Sequence, residues 1–125
     1  MLRNFKIYTK TMEVLLWIFP KVNTFPKKQR FVLGQQIENT GLEILKLIIQ
    51  ANNQKDKIKY CFVHYEVIKI LIRLAKDYKL LNLKQYSFAC RELVEVGNLL
   101  GGWYKLYQPK ADQPLADNFE SIFND

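Results

Sequence analysis

A single histidine, His64, and two cysteines, Cys61 and Cys90, leave this sequence of 125 residues short of the side chains on which catalysis and metal binding most depend. The cysteines form no CxxC pair and have no second candidate ligand nearby, so the spacing predicts no metal site. Both fall on apolar helical faces, where free buried thiols in a reducing cytoplasm are expected and one disulfide is the alternative. His64 has no group at helical or loop spacing that would make it half of a nucleophile–base pair, and a partly buried or interfacial imidazole is expected. Glu38 and Glu43, with Glu92 and Glu95, lack a histidine three positions on, so the Glu-x-x-His pattern of di-iron bundles is missing. No catalytic residue, cofactor or metal is expected. Apolar runs such as Val14 to Phe19 are far too short to span a bilayer, and Met1 to Lys10 alternates basic and apolar residues without a cleavage pattern. The expectation is a cytoplasmic protein.

Apolar residues are plentiful: 49% of the chain is hydrophobic and 14% aromatic, enough for one core in one domain. Charge is lopsided. All nineteen Lys and Arg lie at or before Lys110, against eight acidic residues there, a formal +11 for residues 1–110. Beyond Lys110 stand Asp112, Asp117, Glu120 and Asp125 with no base among them. Such a field concentrates polyanions and leaves a small neutral substrate unfavoured, although a solvated, solubilising surface would use the same charge.

No segment has the two-residue period of a strand, and four have the period of a helix separated by short breaks, which predicts an all-α, antiparallel up-down four-helix bundle. The first helix is expected from Ile7 to Val22 on the seam Tyr8, Met12, Leu15, Phe19 and Val22, with Pro20 kinking or ending its last turn. The second runs from Lys27 to Ala51 on Leu33, Ile37, Thr40, Ile44, Leu47 and Ala51, and its polar stripe is Gln36, Asn39, Glu43, Lys46 and Gln50. Gly34 and Gly41 each cost this helix about 1 kcal/mol relative to Ala, which close approach of a neighbour would offset. The third, Lys55 to Lys79, carries Ile58, Cys61, Tyr65, Ile68, Ile72 and Ala75, widened by Val67, Leu71, Leu74 and Tyr78 into an arc larger than one bundle core needs. Asn82 caps a fourth helix from Leu83 to Tyr107 with the heptad Tyr86, Cys90, Leu93, Gly97, Leu100, Tyr104 and Tyr107, flanked by Ala89, Val96 and Trp103. Gly101 and Gly102 suggest a backbone contact point between helices. Residues 1–110 thus form the bundle, and 111–125 an acidic, flexible tail.

Two basic groups stand out. Lys69, Arg73 and Lys76 fall at i, i+4 and i+7 on one stripe of the third helix, where they could track phosphates, and Lys55, Lys57 and Lys59 thicken its start. Lys27, Lys28 and Arg30 open the second helix, where cations oppose the macrodipole and so do not serve helix stability. Tyr60, Tyr86 and Tyr104 are candidates for stacking on single-stranded bases, with core packing the plainer role.

The segments Phe25-Pro-Lys-Lys-Gln-Arg-Phe-Val-Leu-Gly-Gln-Gln-Ile-Glu-Asn-Thr and Glu95-Val-Gly-Asn-Leu-Leu-Gly-Gly-Trp103, with Leu71-Ile-Arg-Leu-Ala-Lys-Asp77, resemble the accessory variability determinant proteins of diversity-generating retroelements. These form a branch of a wider four-helix-bundle family that includes ribosomal-RNA intervening-sequence proteins. The resemblance covers about Tyr8 to Tyr107. It implies a homopentameric barrel of four-helix subunits that associates with the retroelement's reverse transcriptase and binds its template RNA, with DNA or an RNA/DNA hybrid as further ligands, in support of mutagenic cDNA synthesis. It implies no catalytic residue. Lys27, Lys28, Arg30, Arg73 and Lys76 lie in matching segments and are the implied nucleic-acid or polymerase contacts; Lys69 joins them by spacing. The alternatives are an intervening-sequence-type bundle or a purely structural oligomeric module.

Overall fold

Short breaks at residues 23–26, 52–56 and 78–82 divide the described part of the chain, residues 5–107 of a computed structural model, into four helices. Helix α1 is Phe5–Val22. Helix α2 spans residues 27–51 as three consecutive pieces: Lys27–Gln29, a π-helical turn Arg30–Gly34, and Gln35–Ala51. Helix α3 is Lys57–Asp77 and α4 is Leu83–Tyr107. Among the described residues there is no strand. Connections this short make successive helices antiparallel; α2 packs on α1 and α3, and α4 packs on α3 and closes the ring against α1. The expected acidic tail, residues 111–125, lies outside the described residues, as does the end of the expected bundle domain.

The boundaries follow local chemistry. Asn82 and Gln85 form a reciprocal capping box: the Gln85 amide donates to Asn82 Oδ1 at 2.8 Å and the Asn82 amide to Gln85 Oε1 at 2.9 Å. Helix α3 ends in a Schellman motif, the Leu80 amide reaching the Ala75 carbonyl and the Lys79 amide that of Lys76, with Lys79 left-handed at φ 63°. Pro20 neither ends nor breaks α1, which runs on to Val22. The third helix begins two residues later and ends two residues earlier than its sequence pattern suggests, because residues 54–56 make a turn and Lys79 is left-handed.

The core is one cluster drawn from all four helices. On α2 the buried residues are Ile37, Thr40, Gly41, Ile44, Leu47, Ile48 and Ala51, and the expected polar stripe lies outside them. On α1 the expected seam is displaced: Ile7, Thr11, Val14, Leu15, Ile18 and Val22 are buried, whereas Tyr8, Met12 and Phe19 reach only half burial. Helix α4 is turned likewise, burying Ala89, Leu93, Val96, Leu100, Trp103 and Tyr104 and leaving Tyr86 and Cys90 half-buried at its edge. In both helices two apolar rows compete, and contact with two neighbours at once buries the ridge between them.

Gly34 and Gly41 both face α1. A Cβ at Gly34 would lie 2.7 Å from Val22 Cγ1, and one at Gly41 2.5 Å from Leu15 Cδ2. Gly97 admits the Tyr65 hydroxyl, which donates to the Leu93 carbonyl at 2.8 Å. Gly101 and Gly102 correct the expectation for them: a Cβ at either meets nothing within 4 Å, so neither is a helix contact point within the subunit.

Candidate nucleic-acid interface

The stripe predicted on α3 is present, but its three cations differ in what holds them. Lys69 Nζ sits 3.2 Å from Oε2 of Glu66, a carboxylate buried to 1% exposure, and lies over the Tyr65 ring. Lys69 therefore neutralises a charge inside the subunit as well as facing its surface. Arg73 is exposed. Lys76 pairs with Asp77 at 3.2 Å and lies 5.0 Å from the centre of the Tyr86 ring on α4. Sequence reasoning passed over Glu66, although an acid three residues before Lys69 and next to the core position Tyr65 was the available signal.

Between α3 and α4 this stripe borders a groove of about 430 Å³. Lys69 and Arg73 lie along it, its apolar surface includes Ile70, Leu74 and Val94, each 39–56% exposed, and Tyr86 and Cys90 line its α4 side. The Tyr86 hydroxyl has its pKa raised, first by burial and then by its hydrogen bond with Cys90. A second exposed apolar row runs along α3 at Tyr60, Val67, Leu74 and Tyr78, the part of the wide arc that the bundle core does not cover.

The second basic group is separate in sequence and backbone. Lys27 and Lys28 are exposed on the first turn of α2, and Arg30, half-buried, holds its guanidinium 5.7 Å from the centre of the Phe31 ring. The π-helical turn leaves the adjacent Phe31 and Val32 60% and 68% exposed while returning Gly34 to the α1 contact. Of the tyrosines weighed for base stacking, Tyr60 is exposed beneath Lys57, Tyr86 is half-buried, and Tyr104 is 1% exposed and belongs to the core.

The remaining polar chemistry is structural. His64 is half-buried, with Nδ1 2.8 Å from the Tyr60 carbonyl oxygen one turn earlier. Glu92 and Glu95 hold Lys10 Nζ at 2.9 and 3.1 Å across the α1–α4 contact, and these hydrogen bonds, Glu92 first, raise the lysine pKa above its ordinary range. Cys61 and Cys90 are both free thiols; Cys61 is buried and its thiol is pushed up to about 12 by burial. Among the described residues no three His, Cys, Asp or Glu side chains converge as a metal site, and no helix is long and apolar enough to cross a membrane.

No curated protein and no solved structure matches the chain. A family model described as bAvd-like matches residues 5–107, from the first turn of α1 to the last of α4. The chain therefore belongs to the bAvd-like family, a family of accessory proteins.

Proposed function

We propose that this protein is a non-catalytic accessory subunit of a diversity-generating retroelement, which binds the reverse transcriptase and template RNA and supports mutagenic cDNA synthesis. The match over residues 5–107 carries this reading. The cations along α3 and at the start of α2 give it a physical basis, since a formal +11 over residues 1–110 supplies the field a polyanion follows. Arg73 and Lys76 on α3, with Lys27, Lys28 and Arg30 on α2, are the proposed nucleic-acid or polymerase contacts, and Lys69 adds charge while also serving Glu66. The exposed row Tyr60, Val67, Leu74 and Tyr78 supports assembly into a homopentamer, which would repeat each basic patch around a ring and let weak contacts act together.

Salt-titrated binding of purified protein to template RNA tests the reading. Affinity should fall steeply with salt, the logarithmic slope being roughly −0.7 per phosphate neutralised on a single strand. Reversing Arg73 and Lys76 to Glu, with Lys69 left in place, should weaken binding and flatten that slope while the helical signal is kept. An absence of binding at low salt, or binding indifferent to salt, would refute it. A purely structural oligomeric module is the second reading, and the same apolar row favours it; a stable oligomer that takes up no RNA would decide for it.

A further inference from the structure

The α3–α4 groove is apolar along Ile70, Leu74 and Val94, cationic at Lys69 and Arg73, and unfilled by any described part of the bundle. The residues after the described part of the chain have the complementary pattern. Leu115, Phe119, Ile122 and Phe123 fall at i, i+4, i+7 and i+8, one face of a helix, and Glu120 and Asp125 flank that face on either side. Pro114 stands immediately before, where a first helical turn tolerates it. Residues 111–125 hold four acids and no base, against the excess of bases in the bundle.

The lengths agree as well. From Tyr107 back to Val94 along α4 is ~20 Å at the helical rise. Eight residues from Tyr107 to Leu115 can extend ~28 Å. A helix over 115–123 would then cover ~12 Å, about the distance along α4 from Val94 to Tyr86. We propose that residues 115–123 seat in the α3–α4 groove of their own chain as an amphipathic helix, with Leu115, Phe119 and Ile122 on Ile70, Leu74 and Val94, and its acids beside Lys69 and Arg73. The segment then covers Cys90 and the cationic edge of α3. This contact does not depend on RNA binding.

Cys90 reports occupancy of the groove, and buried Cys61 reports whether the bundle has opened. In the full chain without RNA, Phe119→Ser with Ile122→Ser should raise the rate of Cys90 alkylation by iodoacetamide roughly tenfold, as expected for a docked-to-free ratio of about ten. Cys61 should stay unlabelled. Equal Cys90 rates in the two proteins would overturn the proposal. A second readout is independent of thiol reactivity: benzoylphenylalanine in place of Phe119 should photo-crosslink within one chain to residues 69–77 or 86–94. Crosslinks to other parts of the bundle, or products of twice the chain mass, would also overturn it, the latter by placing the segment in a second copy. Both measurements omit RNA, so their failure leaves the proposed function standing, and loss of RNA binding would leave this contact standing.

Discussion

Gly97 and Gly101, four residues apart on α4, are alike in sequence and opposite in environment. A methyl at Gly97 would strike the Tyr65 hydroxyl and threaten its hydrogen bond to Leu93, whereas a methyl at Gly101 meets nothing within 4 Å. Gly97→Ala should cost about 1–3 kcal/mol of stability by overpacking. Adding Tyr65→Phe, which removes the colliding oxygen, should recover part of that loss. Gly101→Ala should instead stabilise the subunit by about 0.5–1 kcal/mol through helix propensity. Urea unfolding of the four proteins checks the set, and equal effects at both glycines would contradict the packing described for Tyr65. Lys69 is a second case in which position decides. Its cation lies beside the buried Glu66 carboxylate, so Lys69→Ala should destabilise by about 2 kcal/mol, below the ~3–5 kcal/mol of a fully buried pair because Lys69 keeps a fifth of its side chain exposed. Glu66→Gln in the same chain should restore much of the loss in thermal unfolding. A Lys69→Ala protein as stable as the parent would mean that the pair contributes nothing.

At the scale of the element, the ends of α3 and α4 show two ways of closing a helix. Asn82 and Gln85 satisfy one another's amides at the start of α4, and Asn82→Ala removes one half of that exchange. The expected loss is about 1 kcal/mol, seen as a lower thermal midpoint together with faster amide exchange in the first turn of α4. Unchanged exchange at Gln85 would rule out the cap. The residues carrying this signal were legible because a cap is local: Asn82 stands at a fixed offset from its partner. The displaced seams of α1 and α4 were not legible. Tyr86, Cys90 and Gly97 make a regular heptad, but regular spacing identifies a helix without fixing which of its apolar rows faces inward. That depends on where α3 and α1 lie, and together they bury Ala89, Val96 and Trp103.

For the whole molecule, three groups respond in the same direction to alkali. Cys61 is raised from 9.0 to about 12 by burial, Lys10 is raised by its hydrogen bonds to Glu92 and Glu95, and Tyr86 is raised chiefly by burial. In each the fold favours the proton-bound form. Their contribution is therefore complete below the ordinary pKa values and is lost as pH rises through the raised ones. Denaturation midpoints should hold to about pH 9 and then fall toward pH 12, each group adding at most ~1.4 kcal/mol per pH unit. Cys61→Val should flatten the fall beginning near pH 9 and leave the part due to Lys10. An identical profile in the variant would show that Cys61 is not the group titrating. The same scale governs the surface: cations far apart in sequence, at Lys27 and at Arg73, count together only through the shape of the folded subunit and its assembly.

By itself the sequence determined the number of helices, most of their ends, the basic stripe of α3 and the glycines of α2, because periodicity, caps and charge spacing act over a few residues. Tertiary structure decided the rest. It turned α1 and α4 about their axes, placed Tyr104 in the core and Tyr86 at the groove, set Lys10 between two carboxylates of a distant helix, and gave Lys69 a buried acid to hold. Each of these depends on which helix lies beside which, a relation between residues far apart in the chain that no local spacing encodes.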